Sequence, residues 1–208
     1  MSLGRAMFAL VCAALVVSAI APYDRLTWVL EVSWVAIGLP VVCWSSRTRP
    51  LSSVSVIVMA AHALLLVVGG QYTYARVPLG DWLREALDLE RNPYDRIGHV
   101  AQGFAPAVWG REILIRCEVV RGRRWLFVIV CALCLAFGAF FELLEWWAAI
   151  SYGEEAVAYL ATQGDPWDTQ WDMFCCLLGA VAAQLLCARM LDRQVAASPW
   201  PTSGRTQG

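Results

Sequence analysis

Six apolar stretches, most of them long enough to cross a lipid bilayer, dominate this sequence and leave room for few other architectures. They run over Arg5–Ala21, Leu26–Trp44, Val54–Tyr74, Ile97–Arg116, Trp125–Ile150 and Asp168–Leu191. A helix needs about 20 predominantly apolar residues to cross a hydrocarbon core roughly 30 Å thick. The chain of 208 residues is 59% apolar and its mean hydropathy is +0.55, against roughly 45–50% apolar in ordinary soluble domains. No evenly spaced alternating segments of about ten residues point to a barrel. The expected fold is an all-α, polytopic transmembrane helix bundle of about six spans, forming a single domain over 1–195. A polar tail, 196–208, is expected to be disordered. The first stretch resembles a signal peptide, but "SAIAPYDR" leads directly into the second, so it is read as a span.

Orientation follows from arginine, since the chain has no lysine. With both termini cytoplasmic, eleven arginines fall on the inner side (5, 47, 49, 111, 116, 121, 123, 124, 189, 193 and 205). Five fall outside (25, 76, 84, 91 and 96). That asymmetry matches the positive-inside rule. The basic "RCEVVRGRR" loop is expected to touch anionic lipid rather than nucleic acid. Eight cysteines lie in or beside the stretches and read as reduced, small apolar residues. The outer segment "PLGDWLREALDLERNPYDR" has an apolar stripe suited to a short interfacial helix; a solvated connector is the equal alternative.

The polar residues that remain form three stripes at one depth. Asp95, His99 and Gln102 follow i, i+4, i+7 spacing in the fourth stretch; Glu142 and Glu145 follow i, i+3 spacing in the fifth. Asp165, Asp168 and Asp172 open the sixth, within "TQGDPWDTQWDM". All three helix ends lie at the outer interface in this topology. Asp165 before Pro166 reads first as a helix cap, and Asp168 is also explained by the helix dipole. Asp172, a turn deeper, has neither explanation. A carboxylate facing lipid costs several kcal/mol, so Glu142 is expected to face inward, with His99 as first partner and Arg96 as second. His62 and Glu31, in the third and second stretches, could extend the cluster inward or satisfy neighbouring helices by hydrogen bonds. Pro106 is expected to loosen the fourth helix by freeing the Gln102 carbonyl.

"NPYDRIGHVAQGF", "FELLEWW" and "TQGDPWDTQWDM", in that order, resemble the YjdF-like family of bacterial inner-membrane proteins. The resemblance covers about 54–191 and implies a multi-span protein of the bacterial plasma (inner) membrane, without implying a substrate. A looser pattern is similar to VanZ-like membrane proteins: Asp95-Arg96-x-x-His99, Glu142-x-x-Glu145 and Asp172-x-x-x-Cys176-x-x-Gly179. Glu145 stands where that pattern has Gln, and Cys176 where it has Asn.

Three functions are compatible with these residues. The first is an outer-face site acting on a lipid or cell-envelope molecule. His99, Glu142, Asp168 and Asp172 would hold a divalent metal ion, or His99, Glu142, Asp172 and Asp95 would do acid and base work, with Asp95 orienting His99. Arg96, Gln102, Glu145, Gln163 and Trp167 would line the substrate, Arg96 facing an anionic head group. The second is a non-catalytic scaffold or assembly factor locked by a polar network. The third is a proton- or ion-coupled transporter, less favoured because the inner halves of the stretches are apolar apart from Arg111 and Glu112.

Overall fold

The structure, a computed structural model, describes residues 2–153, 160 and 162–200. These residues form seven α-helices and no strand: α1 (Leu3–Ser18), α2 (Arg25–Ser45), α3 (Ser53–Tyr72), α4 (Pro78–Ala86), α5 (Tyr94–Arg116), α6 (Arg123–Tyr152) and α7 (Asp168–Ala197). A 3-10 turn over Tyr74–Arg76 joins α3 to α4. The all-helical expectation therefore holds.

By length and apolarity α2, α3, α6 and α7 can cross a membrane, and α1 is a shorter apolar helix. The fourth expected span is different in kind. It lies within α5, and eleven of the 23 residues of α5 are buried, among them Asp95, His99, Gln102, Arg111 and Glu112. A helix this polar meets the demand that lipid-exposed surface be apolar by taking the centre of the bundle, between α3, α6 and α7. Pro106 does not interrupt it: α5 is helical on both sides of that residue. The 30-residue α6 and α7 are each about 45 Å long at 1.5 Å per residue, so they tilt within or extend beyond a core of about 30 Å.

Small residues allow α5 and α7 to touch. Gly103 lies against the backbone of Cys176, and Gly179 lies against the backbone of Val100 and Phe104. The main core, with Ala107, Val108, Val130, Cys134, Ala180, Ala183 and Leu191, fills the space where α5, α6 and α7 meet. A second cluster, including Val11, Val32, Val35, Ala60 and Val67, joins α1, α2 and α3. All eight cysteines are free thiols. Cys176, buried completely, donates to the Cys134 carbonyl at 3.3 Å.

The expected segment before α5 does contain a helix, α4, with Trp82 outward and 62% exposed. The first residues of the segment expected to form the tail are ordered. α7 continues to Ala197, and Trp200 donates to the Pro50 carbonyl at 2.9 Å while Arg116 and Arg49 stack on its ring. Residues 201–208 lie outside the described residues.

Candidate functional site

Two polar clusters lie at opposite ends of α5, and the contrast between them identifies the one with unfilled chemistry. At its C-terminal end the fully buried Glu112 accepts from the Ser52 amide at 2.8 Å, the Ser52 hydroxyl at 2.7 Å, the Ser55 hydroxyl at 2.5 Å and Arg116 Nε at 2.7 Å. Arg111 grips Asp192 with two bonds, at 2.9 and 2.8 Å, and donates to Gln184 at 2.9 Å. Ser52, which also caps α3, is thereby tied to α5. The charges of Glu112 and Arg111 are met by donors and acceptors within the fold, as a structural lock requires.

The cluster at the other end is arranged differently. α5 begins there, α6 ends there and α7 begins there, as the three stripes imply. Asp95, His99 and Gln102 are 5%, 5% and 6% exposed, while Glu142 is 7% and Asp172 2%. His99 Nε2 lies 3.6 Å from Asp95 Oδ1 and 3.9 Å from Asp172 Oδ2; its Nδ1 lies 3.8 Å from Glu142 Oε1. These separations exceed hydrogen-bond length. His99 Nδ1, Glu142 Oε1 and Asp172 Oδ1 are buried and accept or donate no hydrogen bond, which in a dry interior costs about 1–3 kcal/mol apiece. Phe141 closes one side, its ring 6.0 Å from the imidazole.

The structure sorts the expected site residues into three groups. His99, Glu142, Asp172 and Asp95 come together. Among the described residues the atoms able to hold a cation form two sets, Asp95 with His99 and Asp172, and His99 with Glu142 and Glu145. Asp168, expected among the metal donors, is in neither set and is instead bonded to Arg91, which also reaches Asp95 at 3.0 Å and Asp165 at 3.6 Å. Arg96, the second expected partner of Glu142, pairs with Asp165 at 2.5 Å and stacks on Trp171. Gln163 is bonded to the Asn92 backbone through both its amide atoms, and Trp167 is 64% exposed. Asp165 accepts from the Trp167 amide at 2.9 Å, so its capping bond closes the turn ahead of α7 rather than the helix itself.

Arg91 was assigned by sequence only to the outer loop. Burial opposes its charge, but its hydrogen bond to Asp168 and the fields of Asp168, Asp95 and Asp172 raise its pKa above the ordinary guanidinium value. Asn92, also unremarked in sequence, is completely buried; its amide donates to the Val77 carbonyl at 3.1 Å and its oxygen accepts from the Tyr94 amide at 3.0 Å. Tyr94 donates to the Leu65 carbonyl at 3.0 Å. The "RNPYDR" run thus ties the start of α5 to α3, α4 and α7. A signal was present in sequence: Arg91 stands four residues before Asp95, close enough along the chain to reach its carboxylate from the turn ahead of α5.

A small cavity of about 50 Å³ adjoins the imidazole and is lined by Asp95, Gln102 and Glu145 as well as Glu31, His62 and Tyr74. It is large enough for about three or four waters. Glu31 Oε2 and His62 Nε2 are also buried without a hydrogen-bond partner. Glu31 also shares a side-chain hydrogen bond with Tyr74, so it both satisfies a neighbouring element and lines the cavity beside His99.

A family model described as "Predicted membrane protein (DUF2238)" matches residues 3–193. The chain belongs to this family. It is 47% identical over 181 residues, 87% of each chain, to the inner membrane protein YjdF of Escherichia coli (strain K12). The YjdF-like resemblance and the inner-membrane location expected from sequence both hold. No solved structure matches the chain.

Proposed function

We propose that the Asp95–His99–Asp172 cluster is a divalent-cation site at the outer membrane face, acting on a lipid or cell-envelope molecule. The observation that carries this reading is that the buried His99, Asp95 and Asp172 bring one ligand atom each within 4.8 Å of one another, with Asp172 Oδ1 left without a hydrogen-bond partner. Ligands about 2.1 Å from a cation lie roughly 3–4 Å from one another, the range of the His99 to carboxylate distances. Asp95 and Asp172 face Nε2, the ring nitrogen that would bind the ion. Glu142 faces Nδ1, the position from which a second carboxylate fixes the ring and strengthens the ligand, with Glu145 behind it. This exchanges the roles that sequence suggested for Asp95 and Glu142. Bound there, the cation would lower the pKa of a water or grip a phosphate oxygen. The outer-face assignment rests on the arginine distribution along the chain.

The Arg91 network supports a second reading, a scaffold in which the polar residues only join helices. Thermal unfolding of the detergent-purified protein separates the two. Under the first reading Mn²⁺ or Zn²⁺ raises the melting temperature of the wild type, and Asp172→Asn and His99→Ala remove that rise. Under the second, the variants melt earlier and the ions have no effect on any of the three proteins.

A further inference from the structure

A second site lies on the other half of the molecule, between α1, α2 and α3, and reaches α5 and Phe137 of α6. It is a groove of about 930 Å³. Its walls are apolar, with Phe8, Val35, Leu39, Met59 and Trp109 among them. Along α3 it runs from Ser53 to Leu66, about 20 Å at 1.5 Å per residue, which exceeds the roughly 15 Å depth of one leaflet. Among the described residues no aspartate or glutamate lines it. Arg5 and Arg47 do, at the end where α1 begins and α2 finishes. Both are exposed, and neither has a carboxylate within ion-pair distance among the described residues. An apolar trough of leaflet depth with two uncompensated cations at its mouth has the shape and charge of an acyl chain below an anionic head group.

We propose that this groove binds one anionic phospholipid from the leaflet that faces the chain termini, its phosphate held by Arg5 and Arg47 and its acyl chain laid along α2 and α3. The deep end of the groove shares Trp34, His62, Leu66 and Phe137 with the small cavity beside His99. The bound chain therefore seals that cavity from the hydrocarbon on the side away from the cluster. The proposal is independent of the cation site, because none of the cation donors lines the groove.

Gly38 provides a clean test. It lines the groove, and a Cβ placed on it meets nothing within 4 Å, so Gly38→Phe starts its side chain in open space at the trough, and an unchanged lipid-free melting temperature checks that the fold is kept. The delipidated full chain would be titrated in detergent with phosphatidylglycerol and with phosphatidylcholine, and retained lipid counted by native mass spectrometry. Each arginine near an anionic surface contributes about fivefold, so one phosphatidylglycerol per chain is expected, with about thirtyfold preference over phosphatidylcholine. The Arg5→Gln/Arg47→Gln double variant should lose the preference while keeping its lipid-free melting temperature, and Gly38→Phe should lose retained lipid altogether. Equal affinity for the two lipids overturns the proposal, as does a preference that survives the double substitution, or full retention in Gly38→Phe. A lipid-free dimer that Gly38→Phe converts to monomer also overturns it, because a second copy then occupies the groove.

Discussion

Replacing Gly103 by alanine should separate the two helices that bring Asp95, His99 and Asp172 together. A Cβ at that position would lie 1.8 Å from the Cys176 carbonyl oxygen, 2.6 Å from its carbon and 3.0 Å from the Ala180 amide nitrogen. An ordinary carbon to oxygen contact is about 3.3 Å or more, so α7 has to retreat by roughly 1.5 Å. All three obstructing atoms are backbone, and no rotamer change relieves them. Overpacking by side chains typically costs about 1–3 kcal/mol; with a backbone obstruction the upper end is the minimum expected here. At about 2–4 °C per kcal/mol for a chain of this size, thermal unfolding in detergent should fall by about 6–12 °C. Gly179→Ala should behave alike, since its Cβ would lie 1.9 Å from the Val100 carbonyl oxygen. Gly110 is the internal control: a Cβ there meets nothing within 4 Å, and alanine in a helix interior gains about 0.5–1 kcal/mol over glycine. If Gly103→Ala melts with Gly110→Ala, the close approach of α5 and α7 is refuted and the geometry of the His99 cluster with it.

Three other substitutions probe the supports of the site. Arg91→Ala leaves Asp95, Asp165 and Asp168 facing one another and should cost about 2–4 kcal/mol by thermal unfolding; Arg91→Lys should recover less than half, because one ammonium cannot fork between carboxylates on two helices. Glu112→Ala removes the acceptor for Ser52, Ser55 and Arg116 and should destabilise by about 3–5 kcal/mol at the opposite end, with divalent-ion binding per folded molecule unchanged. Asn92→Ala releases α4 and should accelerate tryptic cleavage after Arg84 and Arg91, which limited proteolysis under native conditions would detect; an unchanged cleavage rate argues against the buried Asn92 anchor.

Helix periodicity made the site legible because polar residues in an apolar chain cannot be scattered. Asp95, His99 and Gln102 on one face of α5, with Glu142 on α6 and Asp172 on α7, could be grouped from spacing and topology alone, and the fold brings them together. The depth of α5 was harder to read. Its polar residues, His99, Gln102, Arg111 and Glu112, set it apart from the other stretches, but its central position depends on Gly103 and Gly179 meeting backbone across the interface, a pairing no single-helix pattern contains. Arg91 was missed for a similar reason. Its partners Asp165 and Asp168 lie more than 70 positions away in sequence, and the partition of the aspartates follows from that contact: Asp165 and Asp168 are held by Arg91, Asp172 faces the imidazole, and Asp95 lies between the two, with one oxygen toward Arg91 and the other toward His99. Gln163 likewise reads as a site residue by proximity in sequence, yet its amide is spent on the Asn92 backbone.

The central claim, that the buried donors around His99 hold a cation, is tested most directly by elemental analysis of the purified wild type beside Asp172→Asn and Glu142→Gln. After dialysis against Mn²⁺ or Zn²⁺, the wild type should retain close to one ion per chain. Asp172→Asn should retain almost none, and Glu142→Gln should bind about 10–100-fold more weakly, as loss of the carboxylate behind a ligating imidazole predicts. A wild type that retains no ion, or an Asp172→Asn variant that retains as much as the wild type, contradicts the account.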